Sequence, residues 1–437
     1  MKKLLLVLTS IVLTMSAHAQ IVSKANGLFL NPMTWDCNCI PTAGSTIIIK
    51  HDVTLNTSWL ISNGGMISID SAASLTQDAT KRNIMTQGEA YLFNGGTLDI
   101  NFLLIQNGGF FNKSSGTAYI SSFENNEEFY NQGVIMDVDS FYNTDLLYNV
   151  GTISTHTFLN IDTLANGGVI NNVDSAFNTG VFYIDESAYL GVTNFLNIGM
   201  VLGNSDDNSE GYFYDVANTG TFYIPRVSVT NSVVNTGTLM TTQFSVGNNL
   251  ANFEKIYSFG ENPGLSVAND FSNLDTADHN ALVICFEGSN FSVANNFLNV
   301  DSIAGDAYGH LEVLGISVNN GKFLGELDFC DLSTTIIQNG GPDLNTGSID
   351  GAVTFCSVTS VKNVSKEEAL LYPNPADNFL KISSTGKMEV YSTLGTKVYE
   401  GENINEINTS KFSSGIYSVV VTENNGNVTK QKISVIH

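Results

Sequence analysis

The stretch Phe244-Ser-Val-Gly-Asn-Asn-Leu-Ala-Asn252 recurs as Leu265-Ser-Val-Ala-Asn-Asp-Phe-Ser-Asn273 and as Phe291-Ser-Val-Ala-Asn-Asn-Phe-Leu-Asn299. A fourth, partial copy is Ile316-Ser-Val-Asn-Asn320. The three full copies start 21 and 26 residues apart, which is within the range of one turn of a β-solenoid whose loops vary in length. Each copy alternates apolar residues with Ser and then reaches Asn, so it predicts a half-buried strand followed by a turn.

A second repeat lies upstream and consists of phenylalanines that precede asparagines. Its phenylalanines are Phe141, Phe158, Phe177 and Phe195, spaced 17, 19 and 18 residues apart. Between them and beyond them lie Asn-x-Gly turns at Asn131–Gly133, Asn149–Gly151, Asn178–Gly180, Asn197–Gly199, Asn218–Gly220 and Asn235–Gly237. Because Asn and Gly tolerate positive φ, we expect corners at these positions. Asparagines at equivalent corners also predict ladders of side-chain amides that bond successive turns.

The fold class that these repeats favour is all-β. No stretch after the first nineteen residues combines a sustained helical period with capping residues. A right-handed parallel β-helix is the expected architecture of residues 20–361, because neighbouring units of a one-dimensional repeat bury each other's apolar side chains. Tandem β-sandwiches are the alternative, since they also tolerate irregular spacing.

The N-terminus has the pattern of a secretory signal peptide. Lys2 and Lys3 precede an apolar run, and small residues surround the end of the segment at Ala17 and Ala19. This pattern predicts cleavage between Ala19 and Gln20. The run is too short for a permanent membrane anchor, and no later stretch reaches the length of one.

Residues 20–75 form the expected N-terminal cap region. Trp35 and Pro41 precede the runs Ala43–Ile49 and His51–Leu55, which predict two short strands. This opening resembles that of G8-like and related β-helical bacterial surface proteins. Trp35 and Trp59 are expected to cover the open end of the solenoid, with sugar stacking as the alternative role.

The charge distribution places a domain boundary near Lys362. Residues 20–361 contain eight Lys or Arg and thirty-four Asp or Glu, a net charge of −26, whereas residues 362–437 contain eight of each kind. Such an acidic body argues against nucleic acid or anionic lipid as partners. We expect a linker at 362–371 and a separate domain at 372–437.

Five cysteines in an exported chain are consistent with disulfides but are too few to be the main framework of a protein of this size. Cys330 and Cys356 are close enough in sequence to staple the end of the body. The pairing of Cys37, Cys39 and Cys285 stays open.

The sequence offers little catalytic chemistry. Its six histidines form no metalloprotease spacing, and its cations in the body are sparse, so a non-catalytic protein that needs no cofactor is favoured. A polysaccharide-degrading enzyme on a β-helix scaffold is the alternative, with two carboxylates brought together by folding. The oxygen-rich segment containing Asp206, Asp207, Asn208 and Glu210 is a candidate calcium site, although it lacks EF-hand spacing.

The last part of the chain has a sequence pattern typical of short β-strands separated by turns. Its marked features are Tyr372-Pro373-Asn374-Pro375, a Leu394-Gly395 hairpin, the strand that begins Gly415-Ile416-Tyr417, and a final strand containing Lys432. About seven short strands in this length predict a small Ig-like β-sandwich.

These motifs, in this order at the C-terminus, resemble the type A sorting domain of type IX secretion substrates. The resemblance implies export across the inner membrane of a Gram-negative cell, then passage through an outer-membrane translocon. It also implies cleavage by a sorting peptidase, with the body released or attached to the outer face of the outer membrane. Together with the repeats, it favours a secreted or cell-surface adhesin-like protein that binds glycans or other surfaces.

Overall fold

The computed structural model describes residues 20–185, 187–204, 210–259, 264–276, 280–286, 288–333, 340–356, 371–372, 374–392, 396–423 and 428–436. The chain divides into two compact units, Met1–Val358 and Thr359–His437, which are considered separately below.

The first unit is a three-sided parallel β-helix. Each turn contributes one strand to each of three parallel stacks, here named faces A, B and C. The described strands of this unit pair in parallel with the strands of the turns before and after them. The predicted solenoid is therefore confirmed. The alternative of tandem sandwiches is wrong, because sandwiches are built from antiparallel strands.

Face A opens each turn. Its strands, numbered in chain order, are β1 (Gln20–Val22), β3 (Thr46–Ile49), β6 (Met66–Ile69), β9 (Ala90–Asn94), β11 (Gly108–Asn112), β13 (Glu128–Asn131), β15 (Leu147–Asn149), β17 (Thr163–Asn166), β19 (Val181–Ile184), β21 (Met200–Gly203), β23 (Thr221–Tyr223), β26 (Thr238–Thr241), β29 (Lys255–Ser258), β32 (Leu282–Cys285), the first parts of β35 (Ser302–Val313) and β37 (Lys322–Asp331), and β39 (Ser348–Ile349).

Face B follows face A in each turn. Its strands are β2 (Gly27–Leu28), β4 (Asp52–Leu55), β7 (Ser74–Gln77), the first parts of β10 (Thr97–Ile105), β12 (Thr117–Asn125), β14 (Val134–Asn143), β16 (Thr152–Asn160), β18 (Val169–Asn178), β20 (Tyr189–Asn197) and β22 (Glu210–Asn218), then β24 (Arg226–Val229), β27 (Gln243–Val246), β30 (Leu265–Val267), β33 (Asn290–Val293), the last parts of β35 and β37, and β40 (Thr354–Phe355).

Face C closes each turn. It consists of β5 (Trp59–Ser62), β8 (Asn83–Gln87), the last parts of β10, β12, β14, β16, β18, β20 and β22, then β25 (Val233–Asn235), β28 (Leu250–Asn252), β31 (Phe271–Asn273), β34 (Phe297–Asn299), β36 (Ser317–Asn319) and β38 (Leu344–Asn345). A single 3-10 turn, Pro32–Thr34, interrupts the strands among the described residues.

The interior of the solenoid is made of aligned apolar side chains. Phe123, Phe141 and Phe158 occupy the same position in successive turns, and their ring centroids lie 4.6 and 5.2 Å apart. In the next turn this position belongs to Ala176, and the predicted repeat residue Phe177 points outward. Side chains alternate along a strand, so only the residue two before the buried Asn178 can face inward.

The predicted asparagine ladders are confirmed, and the described residues form two whose rungs are buried except for the exposed Asn345. The short ladder, at the end of face A, joins Asn94, Asn112, Asn131, Asn149 and Asn166 through amide hydrogen bonds of 2.7–2.9 Å. The long ladder, at the end of face C, joins Asn125, Asn143, Asn160, Asn178, Asn197, Asn218, Asn235, Asn252, Asn273, Asn299, Asn319 and Asn345 through bonds of 2.7–2.8 Å.

The corner glycines serve a different purpose from the one expected. Among the described residues, the glycines of the Asn-x-Gly turns are not at positive φ. They are needed because successive turns approach closely. A Cβ added at Gly220 would lie 1.9 Å from the carbonyl oxygen of Gly199, and one at Gly237 would lie 2.2 Å from that of Gly220. Any side chain there would push the turns apart.

The N-terminal end is covered by aromatic side chains. Trp35 is fully buried, and its Nε1 donates a hydrogen bond of 2.8 Å to the carbonyl of Phe29. The Phe29 ring contacts Trp35 and Trp59 at centroid distances of 5.4 and 4.6 Å. Trp35 therefore acts as part of the cap and is not available for sugar stacking.

Two disulfides lie at the two ends of the body. Cys330 in β37 is joined to Cys356, which directly follows β40. Cys37 is joined to Cys39 in the cap region. Cys285 is a free thiol inside the solenoid, where burial raises its pKa to about 12.

The second unit is an antiparallel sheet of five strands: β41 (Leu371–Tyr372), β42 (Phe379–Ser392), β43 (Lys397–Asn408), β44 (Gly415–Glu423) and β45 (Val428–Val435). It has its own core, which includes Leu380, Val390, Val419 and Val435. The unit is all-β as expected, but its described strands are fewer and longer than the seven short ones predicted. Runs that read as separate strands merge into β42, which continues through register shifts against β43.

Candidate functional site

The outer surface of the solenoid presents its side chains in columns. Strands of successive turns are about 4.8 Å apart, and parallel register places equivalent outward residues directly above one another. The chemistry of a binding surface on this fold therefore depends on the residue that each turn places in a given column. The described surface forms clefts on all three faces, and face B carries two of them.

Face B carries the widest of these clefts, here named the tyrosine groove. It has a volume of about 740 Å³, and its lining includes His156, Asn171, Asn172, Asp174, Tyr189, Gly191, Thr193, Tyr212, Tyr214 and Thr230. Gly191 forms the floor, and the Tyr189 ring lies against it, since a Cβ on Gly191 would come within 2.9 Å of that ring. Tyr212 stacks on Tyr189 at a centroid distance of 5.3 Å.

One wall of the tyrosine groove is produced by an inserted residue in β18. The register of β18 against β20 shifts between Ile170 and Val173, and Asn172 within this bulge has a φ of +58°. Asn tolerates this left-handed conformation better than most residues. The bulge places the Asn171 Oδ1 in a buried position without a hydrogen-bond partner among the described residues.

Polar contacts hold the rim of the groove. The Tyr212 hydroxyl donates a hydrogen bond of 2.8 Å to Glu210, and this contact raises the pKa of Tyr212. Arg226 lies 3.7 Å from the other carboxylate oxygen of Glu210. On the opposite side, His156 Nδ1 lies 3.0 Å from Asp174. Exposed aromatic rings beside fixed amide, carboxylate and imidazole groups suit a ligand with both apolar faces and hydroxyls.

Face A carries a column of outward aromatic rings, here named the aromatic column. It consists of Phe93, Phe111, Tyr130, Tyr148 and, after one interruption at Ala165, Tyr183. Phe93 stacks on Phe111 at 5.0 Å, and Tyr130 stacks on Tyr148 at 4.9 Å. Burial is the main cause that raises the pKa of Tyr148.

The cleft on face C is more apolar. Leu159, Phe177, Leu196, Ala217 and Val234 follow one another in register along it, and the cleft has a volume of about 630 Å³. Nothing in the structure indicates what would cover it.

The predicted calcium segment falls mostly outside the described residues. This applies to Asp206, Asp207 and Asn208. Glu210, which is described, binds Tyr212 and Arg226 as stated above. In the described parts of the chain, no group of three or more His, Cys, Asp or Glu side chains has an arrangement that could hold a metal ion.

One group on face B combines acids with a histidine. His310 in β35 lies 2.9 Å from Asp328 through Nδ1 and 3.8 Å from Glu312 through Nε2. Thr354 donates a hydrogen bond of 3.0 Å to the same Asp328 carboxylate. The sequence search for paired carboxylates did not single out this group, because its members come from three different turns.

Of the predicted sorting residues, Asn374 has the clearest structural role. Its Nδ2 donates a hydrogen bond of 3.2 Å to the carbonyl of Lys432, and its Oδ1 accepts one of 2.9 Å from the Ser434 amide. The amide thus ties the entry segment to β45. Pro375 follows a cis peptide bond, and Tyr372 pairs with Lys381 in the sheet.

The other sorting residues divide between described and undescribed positions. Gly415, Ile416 and Tyr417 begin β44, where Tyr417 is buried and donates a hydrogen bond of 2.8 Å to the Ser413 carbonyl. Ile416 is exposed, as is Lys432 in β45. Pro373, Leu394 and Gly395 lie outside the described residues, as does Ala19 of the expected cleavage site. Gln20 begins β1.

The sequence search did not identify the outward tyrosines as site residues. Tyr189, Tyr212 and Tyr214 read as ordinary members of alternating strands. A usable signal was the 18-residue spacing of Tyr130 and Tyr148, which matches the length of one turn. The described part of the chain contains no helix long and apolar enough to cross a membrane.

Residues 370–436 match the family described as the secretion system C-terminal sorting domain. No curated protein and no solved structure gives a significant match to the chain.

Proposed function

We propose that the chain, whose residues 370–436 match a secretion system C-terminal sorting domain, is a type IX secretion substrate and that its exported solenoid is a non-catalytic, adhesin-like protein that binds glycans. The observation that carries the proposal is the tyrosine groove. Its exposed Tyr212 and Tyr214 rings lie beside the amide of Asn171 and the His156–Asp174 pair. Pyranose rings present apolar C–H faces to aromatic rings and hydroxyls to such polar groups.

The charge of the body selects the kind of glycan. Residues 20–361 contain thirty-four acids against eight cations, a net charge of −26. A polymer of uronic acids or sulfated sugars would meet repulsion along the whole solenoid. The preferred ligand is therefore a neutral glycan.

The route outward supports a surface or matrix location. In the proposed route, a signal peptide directs the chain across the inner membrane, and the sorting domain engages the outer-membrane translocon. A sorting peptidase then cuts within the polar stretch 360–368, leaving the body on or outside the outer face of a Gram-negative outer membrane. Deleting residues 372–437 should leave the body in the periplasm. Recovery of that truncated protein in the medium would contradict the assignment.

The glycan proposal is tested with the mature chain, residues 20–437, on an array of neutral and anionic glycans. The double variant Tyr212→Ala/Tyr214→Ala should lose at least about tenfold in affinity for the neutral glycans that bind, since each lost stacking contact is worth about 1 kcal/mol. Tyr119→Ala is the matched control, because Tyr119 is an exposed tyrosine of face B away from the groove. Binding that is unaffected in the double variant would overturn the role of the groove.

A polysaccharide-degrading enzyme is the rival function, and the His310 group is the observation that favours it. Asp328 and Glu312 both approach one imidazole, as acid and base groups do in hydrolytic sites. Incubating the mature chain with the glycans that it binds and measuring new reducing ends separates the two functions. Product formation that is lost in Asp328→Asn would replace the adhesin proposal with an enzyme.

A further inference from the structure

The aromatic column of face A is interrupted by one missing ring. Tyr148, Ala165 and Tyr183 occupy equivalent positions in three successive turns, so Ala165 stands between two aromatic side chains. The turn after Tyr183 has Leu202 at this position. On the inner side of the same strand, the short asparagine ladder ends at Asn166, and the next turn has Ile184 in its place. The outward series of aromatic rings and the inward series of asparagines therefore both change at the turn that contains Ala165 and Asn166.

The interruption leaves a slot bounded by Tyr148 and Tyr183. The slot has a volume of about 430 Å³, with Ala165 as its floor and Asp185, Gly203 and Asn204 among its lining residues. Tyr183 is 47% exposed. Two strand spacings separate the turns of the two tyrosines, about 9.6 Å along the axis.

The width of the slot matches one inserted ring. Where the column is intact, Tyr130 and Tyr148 stack at a centroid distance of 4.9 Å. A flat ring placed halfway between Tyr148 and Tyr183 would lie about 4.8 Å from each, which is the same spacing. The slot is therefore preformed, because the parallel register fixes both walls.

We infer that this slot binds a single neutral pyranose ring of a glycan, held between the faces of Tyr148 and Tyr183. A sugar fits better than an aromatic side chain, because the Asp185 carboxylate, the Asn204 amide and the backbone beside Gly203 give its hydroxyls hydrogen-bonding groups at the rim. An aromatic ring has no hydroxyls with which to hydrogen-bond to the rim. The inference rests on the proposed glycan-binding function and adds a second subsite on another face.

The slot has a direct test, because it can be filled without removing any native group. Ala165→Phe completes the aromatic column and blocks the slot, while the neighbouring strands keep their pairing. Met240→Phe is the matched control, since Met240 lies beyond the aromatic column in the same outward register, between Tyr223 and Tyr257. Thermal unfolding of both variants shows that the solenoid is intact.

Binding is measured by calorimetry with hexasaccharides of β-1,4-glucan, β-1,3-glucan and mannan, with a galacturonic acid oligomer and N-acetyltyrosinamide as further probes. To isolate the slot, each variant is made in the Tyr212→Ala/Tyr214→Ala background. Ala165→Phe and Tyr183→Ala should each weaken binding of a neutral hexasaccharide by at least about tenfold, with Met240→Phe unchanged.

The outcomes separate the slot from the broader function. If the native mature chain binds none of the neutral probes, the proposed function itself is contradicted. If the native chain binds them, the slot alone is overturned when the Tyr212→Ala/Tyr214→Ala background loses all binding, or when Ala165→Phe leaves the binding of that background unaffected. Stronger binding of N-acetyltyrosinamide than of every neutral sugar also overturns it, because the slot would then be an aromatic side-chain site.

Discussion

The long and short asparagine ladders use the same chemistry but differ in extent. The long ladder of face C continues from Asn125 to Asn345 in every turn, whereas the short ladder of face A stops at Asn166 and gives way to Ile184. The amide bonds are equally short in both, at 2.7–2.9 Å. The difference therefore lies in where each ladder ends and not in how well its rungs bond.

The comparison distinguishes two roles of an interior side chain at a corner. It can fill the space there, or it can also fix the register of one turn against the next. Ile184 is buried in the position that Asn166 has one turn earlier, so an apolar residue can fill the same interior site. An apolar side chain packs acceptably against several neighbours, but a buried amide is satisfied only when the next amide is aligned with it. The long ladder thus keeps successive turns in one register, while the short ladder does so over part of the solenoid.

The largest effect is expected from breaking the long ladder in its middle. Asn235→Leu keeps the size of the side chain but leaves the Asn218 Nδ2 and the Asn252 Oδ1 without their ladder partners. Two buried amides that lose hydrogen bonds should lower the free energy of unfolding by about 2–5 kcal/mol. Chemical denaturation measures the loss, and hydrogen exchange shows whether the turns on both sides open.

The control for this variant is Asn295→Leu. Asn295 also stacks on an asparagine of the previous turn, Asn269, but it is exposed at a corner of the solenoid. Water replaces its lost bonds, so we expect a change below about 0.5 kcal/mol. Equal losses in the two variants would show that burial does not set the value of a ladder.

The next effect concerns the last rung of the long ladder. Asn345 lies within the loop of 26 residues that the Cys330–Cys356 disulfide closes. Cys330→Ala/Cys356→Ala should cost about 3 kcal/mol by the chain-entropy argument, with faster hydrogen exchange in the final turn. Cys37→Ala/Cys39→Ala, which opens a loop at the other end of the body, should leave that turn unchanged. Slow exchange at Asn345 in the first variant would show that the ladder holds the end by itself.

The sequence predicts the repeating interior well, for a physical reason. Each turn buries its side chains against the next, so residues such as Asn252, Asn273 and Asn299 must recur in the chain wherever they stack in the fold. The solenoid and its ladders follow from patterns of this kind, whereas the sorting domain is identified by the resemblance of its motifs to a known family.

The outer surface is less predictable from the sequence, because it depends on residues and loop lengths that differ between neighbouring turns. The tyrosine groove exists because β18 contains a bulge at Asn172 and β20 has Gly191 beneath the Tyr189 ring. The bulge has a counterpart two turns earlier at Asp137 in β14, where φ is +59°, so the groove needs the combination of the bulge with Gly191. The number of residues in each loop decides which outward side chains meet. The role of the corner glycines was misread for a similar reason, since the close approach of Gly199 to Gly220 involves two turns and not one.

The smallest effect is expected at the end of the short ladder, where asparagine and isoleucine occupy equivalent positions in adjacent turns. Asn166→Ile extends the isoleucine of the next turn by one rung and removes the ladder acceptor that receives the Asn149 Nδ2 at 2.7 Å, together with weaker contacts of 3.3 Å to Gly168 and Tyr189. The Asn149 amide keeps its contacts of 3.3 Å with the carbonyls of Gly151 and Val169. Unlike Asn235→Leu, the variant leaves no amide of a following rung without its donor, because Ile184 follows. The free energy of unfolding should therefore fall by only about 1 kcal/mol in chemical denaturation. A loss as large as that of Asn235→Leu would mean that the terminal rung is as essential as a central one, and that register is not the property that the long ladder secures.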